Sequence, residues 1–269
     1  GPDGRGACTL RAVGGAAAVR RVTLRRRTDH PLDSQWVRYL AGVLTLDLGR
    51  SSAQDRPVAD ILREGIGPSL CLTVPILVLG AGLGVVLALW CAARRGRWLD
   101  RAIVFACTGL MSVNYIIWVI AGQYLLGYRL GWFPVWGYAS WTYLVLPVLI
   151  GVVSGLGRDV RFYRAAFLEE TGKEYVRAAG ARGVRPSGIL FRYVLRNACI
   201  PVLTRISLAV PFLFTGSLLL ESYFGIPGLG GISIHAIHSS DLNVVRAVVL
   251  LGALLYLGVN LLTDLLYAW

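Results

Sequence analysis

GRDVRFYRAAFLEETGKEYVRAAGARGVRPSGILFRYVLRNACIP, residues 157–201, is the longest interval after residue 68 that lacks an apolar run of membrane length. It holds Arg158, Arg161, Arg164, Lys173, Arg177, Arg182, Arg185, Arg192 and Arg196. At its centre lies Glu174-Tyr175-Val-Arg177-Ala178-Ala179-Gly-Ala-Arg182-Gly183: a carboxylate, two small residues one turn later, then a glycine. This spacing predicts a short helix. Glu174 stands near its start, where a negative charge suits the helix dipole. Gly183 is a stop signal, because glycine readily takes the left-handed geometry that ends helices. Ala178 and Ala179 would give such a helix a flat face for another protein to pack against.

The rest of the chain explains why a basic interval stands out. Of 269 residues 55% are apolar, and the mean hydropathy is +0.60, which places the chain in a membrane. The net charge of +12 is carried almost wholly by arginine, Lys173 being the single lysine, and the charges fall between apolar runs. No aromatic-basic groove or zinc pattern accompanies them, so orientation in the bilayer and contact with anionic lipid are read in place of nucleic-acid binding. The five cysteines contain no C-x-x-C; a disulfide framework or a metal site is not indicated.

Five runs approach the ~20 apolar residues a bilayer requires: residues 69–93, 102–126, 140–156, 199–220 and 244–266. The third is short and carries Pro147. Before them, residues 1–32 read as a weakly ordered basic leader and 33–67 as an external amphipathic segment in two pieces. The first piece has Trp36, Tyr39, Leu40, Val43 and Leu44 on one helical face; the second is PVADILREGIGPSL. Residues 68–269 form the transmembrane domain. The loop 93–101 carries four arginines, whereas 127–139 and 221–243 carry one between them, Arg129. The positive-inside rule therefore puts 94–101 and 157–198 in the cytoplasm. The same alternation leaves 1–67, with eleven arginines, outside. Arg205 and Asp264, at span edges, are read as snorkelling to an interface, and the aromatics from Tyr128 to Trp141 as an interfacial belt.

Catalytic readings fail on the residues. The lone lysine is followed by Glu174, so there is no phosphate-binding G-x-x-x-x-G-K-[ST] loop and ATP hydrolysis must come from a partner. Gly80-Ala-Gly82-Leu-Gly84 lies inside a span, where small residues permit close helix packing. His235-x-x-His238 beside Asp241 has metal-ligand residue types without an assured third ligand, and is read as exposed. Glu221-Ser222-Tyr-Phe224-Gly225-Ile-Pro227-Gly228-Leu-Gly230-Gly231 combines a carboxylate with a glycine- and proline-rich turn at the end of a long span. Irregular backbone there belongs where it is buried in protein or lines a watery cavity.

The Glu174–Gly183 segment resembles the EAA loop of ABC importer permeases. LDLGRS (46–51), ARRGRWLDR (93–101), Arg196-Asn197-Ala198-x-Ile200-Pro201 and ESYFGIPGLG (221–230) resemble the dipeptide/oligopeptide branch of that family. The resemblance covers about residues 33–268. It implies an all-α, polytopic transmembrane helix bundle like a type I ABC importer permease, with five visible spans where the family norm is six. A truncated or atypical form is expected, since residues 1–30 offer no first membrane helix and the chain stops at Trp269 before the family's D-P-R tail. The resemblance further implies transport of di- or oligopeptides across a bacterial or archaeal inner membrane. Glu174, Tyr175, Arg177, Ala178, Ala179, Arg182 and Gly183 would couple to ATPase subunits. Glu221, Ser222, Phe224, Gly225, Pro227, Gly228 and Gly230 would border the outer mouth of the translocation path. The implied partners are a homologous second permease, two cytoplasmic ATPases and an extracytoplasmic substrate-binding protein. No cofactor or metal is implied for this subunit. A nickel or other small-solute permease is the alternative within the family; an ATP-independent channel or secondary transporter is the reading from another class.

Overall fold

Pro57, with φ −57°, leads into α1 (Val58–Ala93), a 36-residue helix with Asp60 in its first turn. The computed structural model describes residues 48–215 and 217–268; the expected leader and the amphipathic face at 36–44 lie outside the described residues. At 1.5 Å per residue, α1 is about 54 Å long, well beyond the ~30 Å hydrocarbon layer. The stretch expected as a separate short segment before Ser69 is therefore its first turns. The helix passes unbroken through positions 67 and 68, with Pro68 and Pro75 inside it.

The second expected span is not one helix. α2 (Trp98–Ser112) and α3 (Tyr115–Gly122), the latter continued by a π-helical stretch Gln123–Arg129, meet at a 90° bend. Val113 is extended, and the Asn114 side chain caps α3 by accepting from the Ile116 N–H at 2.9 Å. The Trp118 indole N–H donates to the Leu110 carbonyl at 3.3 Å, serving an acceptor that the break strands at the end of α2.

The third span is longer than its apolar run. α4 (Thr142–Thr171) has 30 residues and takes in the first third of the interval read as a loop. Its extension past Gly157 stays helical because Val160, Tyr163 and Phe167 form a buried stripe while the arginines occupy other faces. After α5 (Glu174–Ala181), a single turn α6 (Pro186–Gly188) and a π-helical stretch Ile189–Val194 lead into α7 (Leu195–Thr215). The chain closes with α8 (Leu218–Phe224), α9 (Leu229–His238) and α10 (Leu242–Ala268). Four described helices are long and apolar enough to cross a membrane, or five if the bent α2–α3 pair counts as one span.

α1 and α4 run parallel. A Cβ at Gly151 would meet the Ile76 side chain and one at Gly84 the Tyr163 ring, so neither position accepts one unless its neighbour moves. Nothing lies within 4 Å of a Cβ placed at Gly80 or Gly82, expected in the same role; Gly82 is exposed, Gly80 buried without such a close neighbour. Two buried clusters lie along this pair. One joins Leu72, Val119, Leu146, Ile150, Leu220 and Phe224; the other joins Ala88, Leu89, Tyr163, Phe167, Val194 and Ala198. Leu72 and Leu89 are about 25 Å apart along α1. α7 returns antiparallel from the second cluster toward the first. Polar cross-links reinforce the second end. Arg164 Nε and Nη2 each donate at 2.8 Å to the Asp100 carboxylate, which is 3% exposed and also accepts from the Gly96 N–H. Arg205 turns toward α4, 3.6 Å from Asp159.

Candidate functional site

The turn after α8 closes on its own carboxylate. Glu221 has no solvent exposure. The Ser69 hydroxyl of α1 donates to Glu221 Oε1 at 2.8 Å, and the N–H groups of Gly230 and Gly231 donate to Oε2 at 2.6 and 3.3 Å. Ser69 Oγ in turn accepts from the Leu229 N–H at 2.8 Å. Such pairing is what a buried carboxylate requires, because an unsatisfied one in a low dielectric is costly. Gly228 packs so closely that a Cβ would overlap the Glu221 carboxyl group. Gly225 terminates α8 at φ +65°, where a Cβ would also strike the Trp136 indole. Phe224 is buried in the first cluster, and its carbonyl accepts from the Gly137 N–H at 3.0 Å. Gln123 Nε2 donates to the Tyr223 carbonyl at 2.8 Å. Ser222 and Pro227 face outward. Five of the seven expected turn residues, Glu221, Phe224, Gly225, Gly228 and Gly230, thus form one knot that binds α1, α8, α9 and the 127–139 loop, whereas Ser222 and Pro227 stay outside it.

At the other end, α5 sits on a small polar clasp. Glu170, the penultimate residue of α4 and 9% exposed, accepts from Lys173 Nζ and from the Tyr175 hydroxyl, each at 2.5 Å. Hydrogen bonding to Glu170 holds the Lys173 ammonium above its ordinary pKa. Burial and then the hydrogen bond to the Glu170 carboxylate push the Tyr175 phenol up. Ala179 is fully buried, with Val176 packed one turn away against the second cluster. Glu174, Arg177, Ala178, Arg182 and Gly183 are exposed. The two alanines expected to form one flat docking face therefore point apart: Ala179 seats the helix and Ala178 faces out. Gly183, at φ +79°, ends the segment, and the Val184 N–H returns to the Ala179 carbonyl at 3.2 Å.

His235 and His238 are exposed on α9, and His238 Nδ1 lies 3.0 Å from the Ile234 carbonyl. Asp241 is not available to them. It is 2% exposed and accepts from the Ser51 hydroxyl and from the Ala53 and Val244 N–H groups. Among the described residues no three His, Cys, Asp or Glu side chains are placed to hold a metal. Ser69, Glu170 and Asp241 were not among the expected site residues. Glu170 had a local signal, the lone lysine three residues on. Ser69 and Asp241 had none, since their partners Glu221 and Ser51 lie 152 and 190 positions away.

Residues 84–269 match the family described as binding-protein-dependent transport system inner membrane component. The chain is 34% identical over 245 residues to the glutathione transport system permease protein GsiC of Escherichia coli, covering 89% of this chain and 78% of that protein. To the protein of the same name from Pectobacterium atrosepticum it is 34% identical over 258 residues, covering 94% of this chain and 83% of that one. With an all-helical bundle of membrane-length helices and no nucleotide site of its own, the chain belongs to this family: it is a multi-pass inner-membrane permease subunit of a peptide-family ABC importer, working with an ATPase that binds the ATP and with a substrate-binding protein.

Proposed function

We propose that this permease carries di- or oligopeptides, and that α5 is the cytoplasmic coupling helix seated on one of two ATPase subunits. The observation that carries this reading is the seating of α5. The helix is clasped to α4 through Glu170, and its Val176 packs against the cluster that holds Ala198 and Val202 of α7, while Glu174, Arg177 and Ala178 remain exposed. A push on that exposed face would move α4 and α7 as rods. α4 continues to the far cluster, against which the Glu221 turn packs. ATP-driven approach of two ATPases would then rock this subunit against a homologous second permease, exchanging inward for outward access. The Glu221 turn would border the outer mouth, beside the docking place of the substrate-binding protein. Peptides as cargo are supported by the relatives named for glutathione transport, glutathione being a tripeptide.

Ala178→Arg and Gly183→Pro are expected to lower substrate-driven uptake by about tenfold or more, with the variant still inserted and assembled with its partners. Uptake at the wild-type level in both variants would remove α5 from the coupling role.

A further inference from the structure

A cleft of about 690 Å³ opens where α2 breaks from α3, between α1, α4 and the α7–α8 junction. Its volume falls within the roughly 300–1,000 Å³ of small-ligand sites. Three observations make it more than a packing fault. First, Val113 and Asn114, the non-helical backbone of the break, line it. At membrane depth such backbone persists where it is buried in protein or borders a watery cavity. Second, its polar lining converges from separate elements: Thr73 on α1, Asn114 and Tyr115 at the break, Ser154 on α4, and Ser217, whose Oγ lies 3.2 Å from the Tyr115 hydroxyl. Third, Gly151, Ser154 and Arg158 line it from successive turns of one α4 face, and Arg158 is the single charged residue in the lining. The adjacent Asp159 is turned to Arg205 of α7.

We propose that this cleft is a substrate station on the translocation path, where Arg158 receives a carboxylate of the passing peptide. This rests on the peptide-permease reading above. The positive-inside rule counts Arg158 with the cytoplasmic interval 157–198, but it stands inside the continuous helix α4, which is long and apolar enough to cross a membrane; an arginine in such a helix marks a solute path when it faces a cavity, because its burial against lipid is costly. The planar guanidinium fork matches a carboxylate, and an ammonium reproduces its charge but not its geometry. Apolar walls from α1 and α3 would accept the side chains of varied peptides, leaving the shared carboxylate as the point of recognition.

The test uses the whole transporter with its binding protein in phosphatidylcholine vesicles, with radiolabelled glutathione and trialanine as probes. Uptake and ATP hydrolysis are measured together for Arg158→Lys, Arg158→Gln and Arg158→Glu. Peptide moved per ATP is expected to follow the order Arg, Lys, Gln, Glu, falling about tenfold or more for Gln, with stimulated ATP hydrolysis within about twofold of wild type. Unchanged uptake in the Gln and Glu variants overturns the assignment, as does a parallel fall of uptake and hydrolysis, which marks a structural role. A loss that appears only when anionic lipid is added gives Arg158 to a lipid headgroup and overturns it too. A wild-type transporter that moves neither probe sinks the peptide reading itself, whereas normal wild-type uptake with ungraded variants sinks the Arg158 assignment alone.

Discussion

Glu221 is buried more completely than any other carboxylate among the described residues, and its surroundings explain how the chain tolerates it. One hydroxyl and two backbone N–H groups converge on its oxygens, so the carboxylate organises the turn that contains it. Glu221→Gln replaces an all-acceptor group by one that must turn a donor toward Gly230 or Ser69. The expected cost is about 1–3 kcal/mol, read as a lower thermal midpoint of the detergent-solubilised transporter. Gly228→Ala should match or exceed that loss, since its methyl would enter the carboxylate's space. If both variants melt with the wild type, the knot does not hold the turn. The same logic separates the two alanines of α5. Arginine at Ala178 meets solvent or a partner, whereas arginine at Ala179 has to displace the core beneath the helix.

Among the elements, the segment before α1 shows how a piece with little apolar surface is fastened. Ser51 and the Ala53 N–H bind Asp241, just ahead of α10, and Asn243 Nδ2 donates to the Arg50 carbonyl at 2.8 Å. Burial opposes the charge on Asp241, but the Ser51 hydroxyl and the backbone donors of Ala53, Ser52 and Val244 outweigh it and hold the carboxyl below its ordinary range. A depressed carboxylate adds stability above the unfolded value of about 3.9 and loses it as pH falls through the folded value. Hydrogen-exchange protection of the Ala53 and Val244 amides should therefore drop below about pH 4, after correction for intrinsic rates. Asp241→Asn should lower protection already at neutral pH and flatten the acid dependence. A wild-type profile flat through that window would show that Asp241 does not fasten the segment.

For the whole molecule, the parallel pair α1–α4 is the frame, with a buried cluster toward each end and α7 returning between them. The pair approaches closely at Gly84 and Gly151, where the Tyr163 ring and the Ile76 side chain lie against a bare glycine. Gly84→Leu should force Tyr163 aside, lowering the thermal midpoint and transport together, at a cost of about 1–3 kcal/mol. Gly82→Leu, two residues away and facing open space, should leave this subunit's own stability unchanged. Equal effects of the two substitutions on the subunit would mean that the α1–α4 contact does not set the frame.

Class and family were legible in the residues themselves, because apolar length, arginine placement and local motifs are properties of contiguous sequence. Glu174 opening a short helix and Gly183 closing it needed nothing beyond local propensity. Hydropathy misplaced the end of α4, since the scale sees Arg158 and Arg161 where the helix sees a continuing stripe through Val160, Tyr163 and Phe167. It also missed the break at Asn114, for one polar residue in an apolar run resembles a tolerated interior position until its cap bond and the cleft beside it are known. The tertiary structure alone decided which glycine packs, which alanine is buried, and that Glu221 belongs with Ser69 and Asp241 with Ser51. Those facts depend on residues far apart in the chain sharing one low-dielectric space, and nothing in their sequence neighbourhoods records which of them will meet.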